Sequence, residues 1–264
     1  MDSSKATSLA SRSGLLFYLA QRELARRYAG SLVGPGWALV LPALQIALYW
    51  VVFRYGLRVE SHGAVALGPM LIAGIAPWLA LSEALTTMTA SLKANAALVK
   101  RTALPVELLP LASLAAAACV HAAVLAFAVA LLWMLGFAPG PQLLILPYAA
   151  LCVALLALSL GTLLALANVA FSDVAQAVAA VLLLWLWATP ILWEAARLPA
   201  EWRWAASANP LTHPVELYRY ALLGPEAGGI DGAAALTFWS VALALSLAAW
   251  LALRRFKREV ADLL

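Results

Sequence analysis

Glu83 and His121 are ionisable side chains that fall inside long apolar runs of this sequence. An ionisable group at membrane depth is where ion pairing, proton relay or substrate contact would be sought. A neutral histidine hydrogen-bonded to a neighbouring helix accounts equally for His121, and Glu83 lies close enough to the end of its run to reach an interface. Other chemistry-bearing patterns are missing. There is no G-x-x-x-x-G-K-[ST] phosphate loop, no H-E-x-x-H and no G-x-S-x-G. His62, His121 and His213 are too scattered to suggest a metal site, and no aspartate pair suits a metal-dependent transferase. Cys119 and Cys152 read as small packing residues in different helices. No catalytic residue, metal or cofactor is expected on this chain.

The elements around these residues are set by composition. The chain has 264 residues, 65% hydrophobic and 11% charged, with mean hydropathy +0.90. That charge is too sparse for a soluble domain of this size. Six apolar runs reach transmembrane length: 37–57, 68–88, 111–135, 143–168, 174–193 and 233–253. The expectation is an all-α membrane protein of six transmembrane helices in a single domain, 1–264. The first span serves as its own insertion signal, since no cleavable leader pattern precedes it. Lys5, Arg12, Arg22, Arg26 and Arg27 precede the first span, Lys93, Lys100 and Arg101 come after the second, and Arg254, Arg255, Lys257 and Arg258 close the chain. The positive-inside bias puts these loops and both termini in the cytoplasm. The net charge of +4 thus reflects contact with anionic lipid rather than nucleic acid.

Four segments are not plain spans. Residues 14–30 read as an amphipathic helix along the membrane surface, with Leu16, Phe17, Ala20, Leu24 and Tyr28 on one arc and Arg22, Glu23 and Arg26 opposite. Arg27 falls near the apolar arc and Leu19 off it. Residues 89–103 read as a cytoplasmic helix turned back along the membrane. Thr102 is positioned to cap the start of the next helix, Pro105 suits a first turn, and Pro110 implies a kink or restart. The stretch is either a docking helix or a loop that carries the same punctuation. Residues 194–232 are too apolar for a solvated loop and too short to span. They read as two short re-entrant or interfacial helices split at Asn209-Pro210, with Trp202, Trp204, Tyr218 and Tyr220 at interface depth. Residues 167–178 form a tight inner turn in which Asp173 is positioned to cap the fifth span.

Trp37, Trp133, Trp193, Trp239 and Trp250 sit near span ends, as in an interfacial belt. Tyr49, Trp50, Trp185 and Trp187 lie deeper. They are either packing and lipid-facing bulk or stacking platforms along a path for a cargo with apolar C–H faces, such as sugar rings.

Taken in order, "RELARRYAGSLVGPGWALVLP", "LVKRTALPVELLPL" and "WATPILWEAARLPAEWRWAASANPLTHPVELYRYALLG" resemble the permease subunits of ATP-binding cassette transporters that export O-antigen, capsule or teichoic acid. The likeness runs nearly end to end and includes Ser-x-x-Gly-Pro-x-Trp before span one. It departs where Ser172 stands in place of an arginine before Asp173. The resemblance implies export of a lipid-linked polysaccharide across the bacterial inner membrane by a homodimer working with two separate cytoplasmic P-loop ATPases, which hold the ATP and magnesium. It implies a coupling helix at 89–103, with Lys93, Asn95, Lys100, Arg101 and Asp173 toward the ATPase. Tyr49, Trp50, Trp185 and Trp187 become the translocation path, and Trp202, Trp204, Asn209, Pro210 and Arg219 an outer gate within 194–232. A small-molecule or drug exporter of the same superfamily is the alternative, and an ion-coupled secondary carrier or a membrane enzyme stands further off.

Overall fold

The computed structural model describes residues 3–56, 65–101, 104–195, 198–256 and 259, with side chains from Arg12 onward. The described residues hold ten α-helices and no strand. In chain order they are α1 (Ser3–Tyr28), α2 (Trp37–Val51), α3 (Leu67–Ala94), α4 (Ala96–Arg101), α5 (Leu108–Met134), α6 (Leu146–Ala170), α7 (Val174–Ala188), α8 (Arg203–Ser207), α9 (Thr212–Leu223) and α10 (Gly232–Phe256).

Among the described residues, five stretches are long and apolar enough to cross a membrane: Gly34–Gly56, Leu67–Ala94, Leu108–Met134, Pro141–Ala170 and Gly232–Phe256. The fifth expected span, 174–193, is shorter. α7 has 15 residues, about 22 Å of helix at 1.5 Å per residue, against about 30 Å of hydrocarbon. It stops at Ala188 rather than at 193 because Pro190 lacks an N–H and excludes Thr189 from the helical region, leaving it extended at ψ 139°.

α3 is the central post. It packs against α2, α5, α6, α7 and α9, and its side chains are buried along most of its length, from Leu71 to Leu92. The outer helices bury one stripe each and present the rest. Leu41, Leu44 and Leu48 on α2 and Leu236, Leu243, Leu247 and Leu251 on α10 are exposed. Leucine faces of that extent are costly in water and cost little in lipid. A second apolar cluster lies at the end of the bundle that carries Lys93, Lys100 and Arg101. There Leu19 of α1 and Val99 of α4 meet Leu92, Leu108, Leu109, Ala165 and Val169.

Several sequence expectations shift at this basic end. α1 is helical from Ser3, and it is rolled by roughly a quarter-turn from the expected apolar arc. Leu19 and Ala20 are the buried pair, and Phe17 is 65% exposed. The roll turns Glu23 and Arg27, both partly buried, toward the bundle. Residues 89–94 belong to α3, and the separate helix is only Ala96–Arg101. The break falls at Asn95, whose side-chain amide donates to the Ser91 carbonyl at 2.9 Å. Thr102 lies outside the described residues. Pro110 neither kinks nor restarts a helix. It sits in the first turn of α5, where its missing N–H would have had no carbonyl to reach. Asp173 occupies the cap position of α7 without a side-chain capping bond. Its carbonyl accepts the Ala177 N–H at 2.9 Å, and its carboxylate stays exposed.

The corner between α1 and α2 explains the Ser31-x-x-Gly34-Pro35-x-Trp37 pattern. The Ser31 hydroxyl accepts the Gly34 N–H at 3.1 Å. Gly30 and Gly34 adopt φ of 75° and 56°, a region that side chains with a Cβ resist.

Candidate functional site

Three polar clusters interrupt the apolar bundle. At the basic end, the Lys93 ammonium donates to the Ser172 hydroxyl at 3.1 Å, and the buried Asn168 amide donates to the Thr89 carbonyl at 3.0 Å. The last turns of α3 are thereby tied to the turn between α6 and α7. In α4, Val99 points into the apolar cluster while Lys100 and Arg101 are exposed. Phe171, which follows α6, is 69% exposed. Lys93, Asn95, Lys100, Arg101 and Asp173 therefore lie on one end of the molecule, with Ser172 making the lysine contact at the position where an arginine was expected.

The second cluster lies deeper. Arg27 of α1 makes an ion pair with Glu83 of α3, and both side chains are largely buried. Glu83 therefore does not reach for an interface. It neutralises a guanidinium brought in by the rolled helix. The signal was present in the sequence, since Arg27 fell near the apolar arc. His121 Nε2 lies 2.7 Å from the Tyr218 hydroxyl, so it binds a neighbouring helix, as one of its two sequence readings held. Its partner is α9, whose residues are buried at ten of twelve positions.

The third cluster is at the opposite end. The Asn209 carbonyl oxygen accepts the Trp185 indole N–H and the Leu211 N–H, both at 3.0 Å. Its amide donates to the Thr189 hydroxyl at 2.9 Å and the Ala188 carbonyl at 3.3 Å. One side chain thus knots the end of α7 to the α8–α9 turn, and the two short helices do split at Asn209-Pro210. Arg219 is buried and donates to the Ile191 carbonyl at 2.8 Å. A Cβ at residue 74 would lie 3.0 Å from the same guanidinium nitrogen, so Gly74 makes the room for it. Glu216 accepts the Asp231 N–H at 2.9 Å, and burial raises its carboxyl to about 7. The Ser207 hydroxyl donates to Asp231 at 2.5 Å and, as the main cause, holds that carboxyl below the usual range. Trp202 and Trp204 are exposed at this end.

The four deep aromatics do not form one surface. Trp185 packs edge-on against Trp78 with ring centres 6.4 Å apart, and Tyr49 accepts the Gln45 amide at 3.1 Å. Trp50 and Trp187 are 41% and 52% exposed, and none of the four rings stacks on another of the four.

Long apolar helices around a buried post, lipid-compatible outer faces and a basic end define a multi-pass helical membrane protein. The chain belongs to the ABC-2 type transporter family, whose sequence profile matches residues 14–223. It is a transporter membrane subunit by that membership. It is 25% identical over 206 residues, 78% of each chain, to an O-antigen export system permease protein RfbA of Klebsiella pneumoniae. It is 27% identical over 188 residues, 71% of each chain, to the protein of the same name from Myxococcus xanthus.

Proposed function

We propose that this chain is the membrane-spanning subunit of an ATP-driven exporter of lipid-linked polysaccharide. In this reading it works in the bacterial inner membrane as a homodimer with two cytoplasmic ATPases, which carry the ATP and magnesium. The observation that carries the reading is the match to O-antigen export permeases over most of both chains. The basic end faces the cytoplasm, α7 is the fifth, short span, and α8 and α9 re-enter from the outer side. Lys93, Asn95, Lys100, Arg101 and Asp173 face the ATPase. The Lys93–Ser172 and Asn168–Thr89 bonds make both inner loops one platform, so a push on α4 reaches α3 and α6–α7 together. Tyr49, Trp50 and Trp187 line the path. Trp185 serves it by holding Asn209, with Trp202, Trp204, Pro210 and Arg219 in the outer gate.

Affinity purification of the tagged permease from its host membrane tests this. A P-loop ATPase is expected in a 1:1 ratio, with polymer export lost when the permease is deleted. Lys93→Glu should keep the protein in the membrane while separating ATP hydrolysis from export. Purification without an ATPase, or export unchanged by the deletion, would remove the assignment.

A further inference from the structure

Two clefts adjoin between α1, α2, α3 and α5. The first, about 590 Å³, is walled by Leu24, Leu39, Cys119 and Ala123 and is almost wholly apolar. The second, about 580 Å³, holds Arg27, Glu83, Gln45, Thr86 and Trp37. Tyr28, Ala38 and Val120 line both, so the two are lobes of one amphipathic cleft. Each has a volume within the roughly 300–1,000 Å³ range of small-ligand sites.

The chemistry of the polar lobe narrows its occupant. The Arg27–Glu83 pair leaves the lobe with no net charge, yet Nη2 of Arg27 is buried with no hydrogen-bond partner. A buried guanidinium donor left unmade is costly, and a phosphate or hydroxyl oxygen would satisfy it. The amide of Gln45 and the carboxylate of Glu83 add acceptors and donors suited to hydroxyls. Trp37, 40% exposed, adds a ring face for C–H contact. A bare phosphate head would use the arginine and leave the other groups idle, and a phosphatidylglycerol head, with hydroxyls but no sugar ring, would leave the Trp37 face idle. A phosphate followed by a sugar would use all of them, with a hydrocarbon chain in the neighbouring lobe.

We propose that this cleft, within a single protomer, binds the lipid-proximal end of a lipid-linked saccharide, chain in the apolar lobe and phosphate and first sugar in the polar lobe. The proposal rests on the exporter reading and places the cargo's anchor on the cytoplasmic half of the protein, beside α1 rather than among the deep aromatics.

Native mass spectrometry of the purified permease, given polyprenyl phosphoglucose, phosphatidylglycerol or glucose 1-phosphate in turn, tests it. Polyprenyl phosphoglucose should be retained at least about tenfold better than phosphatidylglycerol, and glucose 1-phosphate least, because it leaves the apolar lobe empty. Gln45→Leu, nearly isosteric and half-buried, should reduce that preference while leaving thermal stability unchanged. Ala123→Trp should reduce retention of both lipids by filling the apolar lobe. Equal retention of the two lipids by the wild type would mark the cleft as a place for bulk lipid and overturn the proposal. Wild-type retention by both variants would do the same. A permease that co-purifies with its ATPase and exports polymer yet shows no lipid preference would lose the cleft and keep the exporter reading. Selective binding without an ATPase partner would do the reverse.

Discussion

Arg27 and Glu83 are 56 positions apart in sequence and share one ion pair, with side chains 20% and 28% exposed. At that burial, removing one partner costs more than removing both, because the survivor is left charged and unpaired in a low-dielectric setting. Glu83→Ala should therefore destabilise the protein by about 2–3 kcal/mol, and the double variant Arg27→Ala/Glu83→Ala by clearly less. Thermal unfolding of the wild type, of Arg27→Ala and Glu83→Ala singly and of the double variant in one detergent checks this. A double variant as unstable as the sum of the singles would show that the pair is not coupled. The same reasoning explains Gly74, where the absence of a side chain lets the Arg219 guanidinium lie against α3.

The short helices are held by side-chain bonds more than by their own length. α8 has 5 residues and α9 has 12, too few to be stable alone. Asn209 makes four hydrogen bonds, three to the end of α7 and one to the Leu211 N–H within the α8–α9 turn. Truncating it strands the Trp185 indole N–H in a partly buried setting, while the Thr189 hydroxyl keeps its bond to the Trp185 carbonyl. Asn209→Ala should cost about 2 kcal/mol, roughly 4–8 °C in unfolding temperature for a chain of this size. Thr189→Val, which breaks one of the four, should cost less. Equal, negligible shifts in both variants would mean that packing of α9 against α3 and α6 suffices to hold the segment.

For the molecule as a whole, orientation decides which end meets the ATPase. In a Cys119→Ala/Cys152→Ala background, Glu226→Cys should react with a membrane-impermeant thiol reagent in intact spheroplasts, and Arg12→Cys should react only after lysis. Labelling of Arg12→Cys in intact cells would reverse the bundle and with it the assignment of the basic end to the cytoplasm. Both positions are exposed on described helices, so accessibility in the folded protein is not the limiting factor.

The helical class, five of the six span positions and the charge asymmetry were legible in the chain because each is a property of one segment: its apolar length, its period, its lysines and arginines. The split at Asn209-Pro210 was legible for the same reason, since proline and asparagine act on their own backbone. Other features depend on what another helix presents. The roll of α1 is set by α5 and by Glu83, which is why the arc drawn from Leu16, Phe17, Ala20, Leu24 and Tyr28 missed Leu19 and left Arg27 near it without a partner. In a membrane protein an apolar residue gains nothing by choosing protein over lipid on hydrophobicity alone, so periodicity cannot say which face is buried. Polar pairs decide it instead, and their partners, Arg27 with Glu83, His121 with Tyr218, Lys93 with Ser172 and Asn209 with Trp185, are brought together only by the tertiary fold.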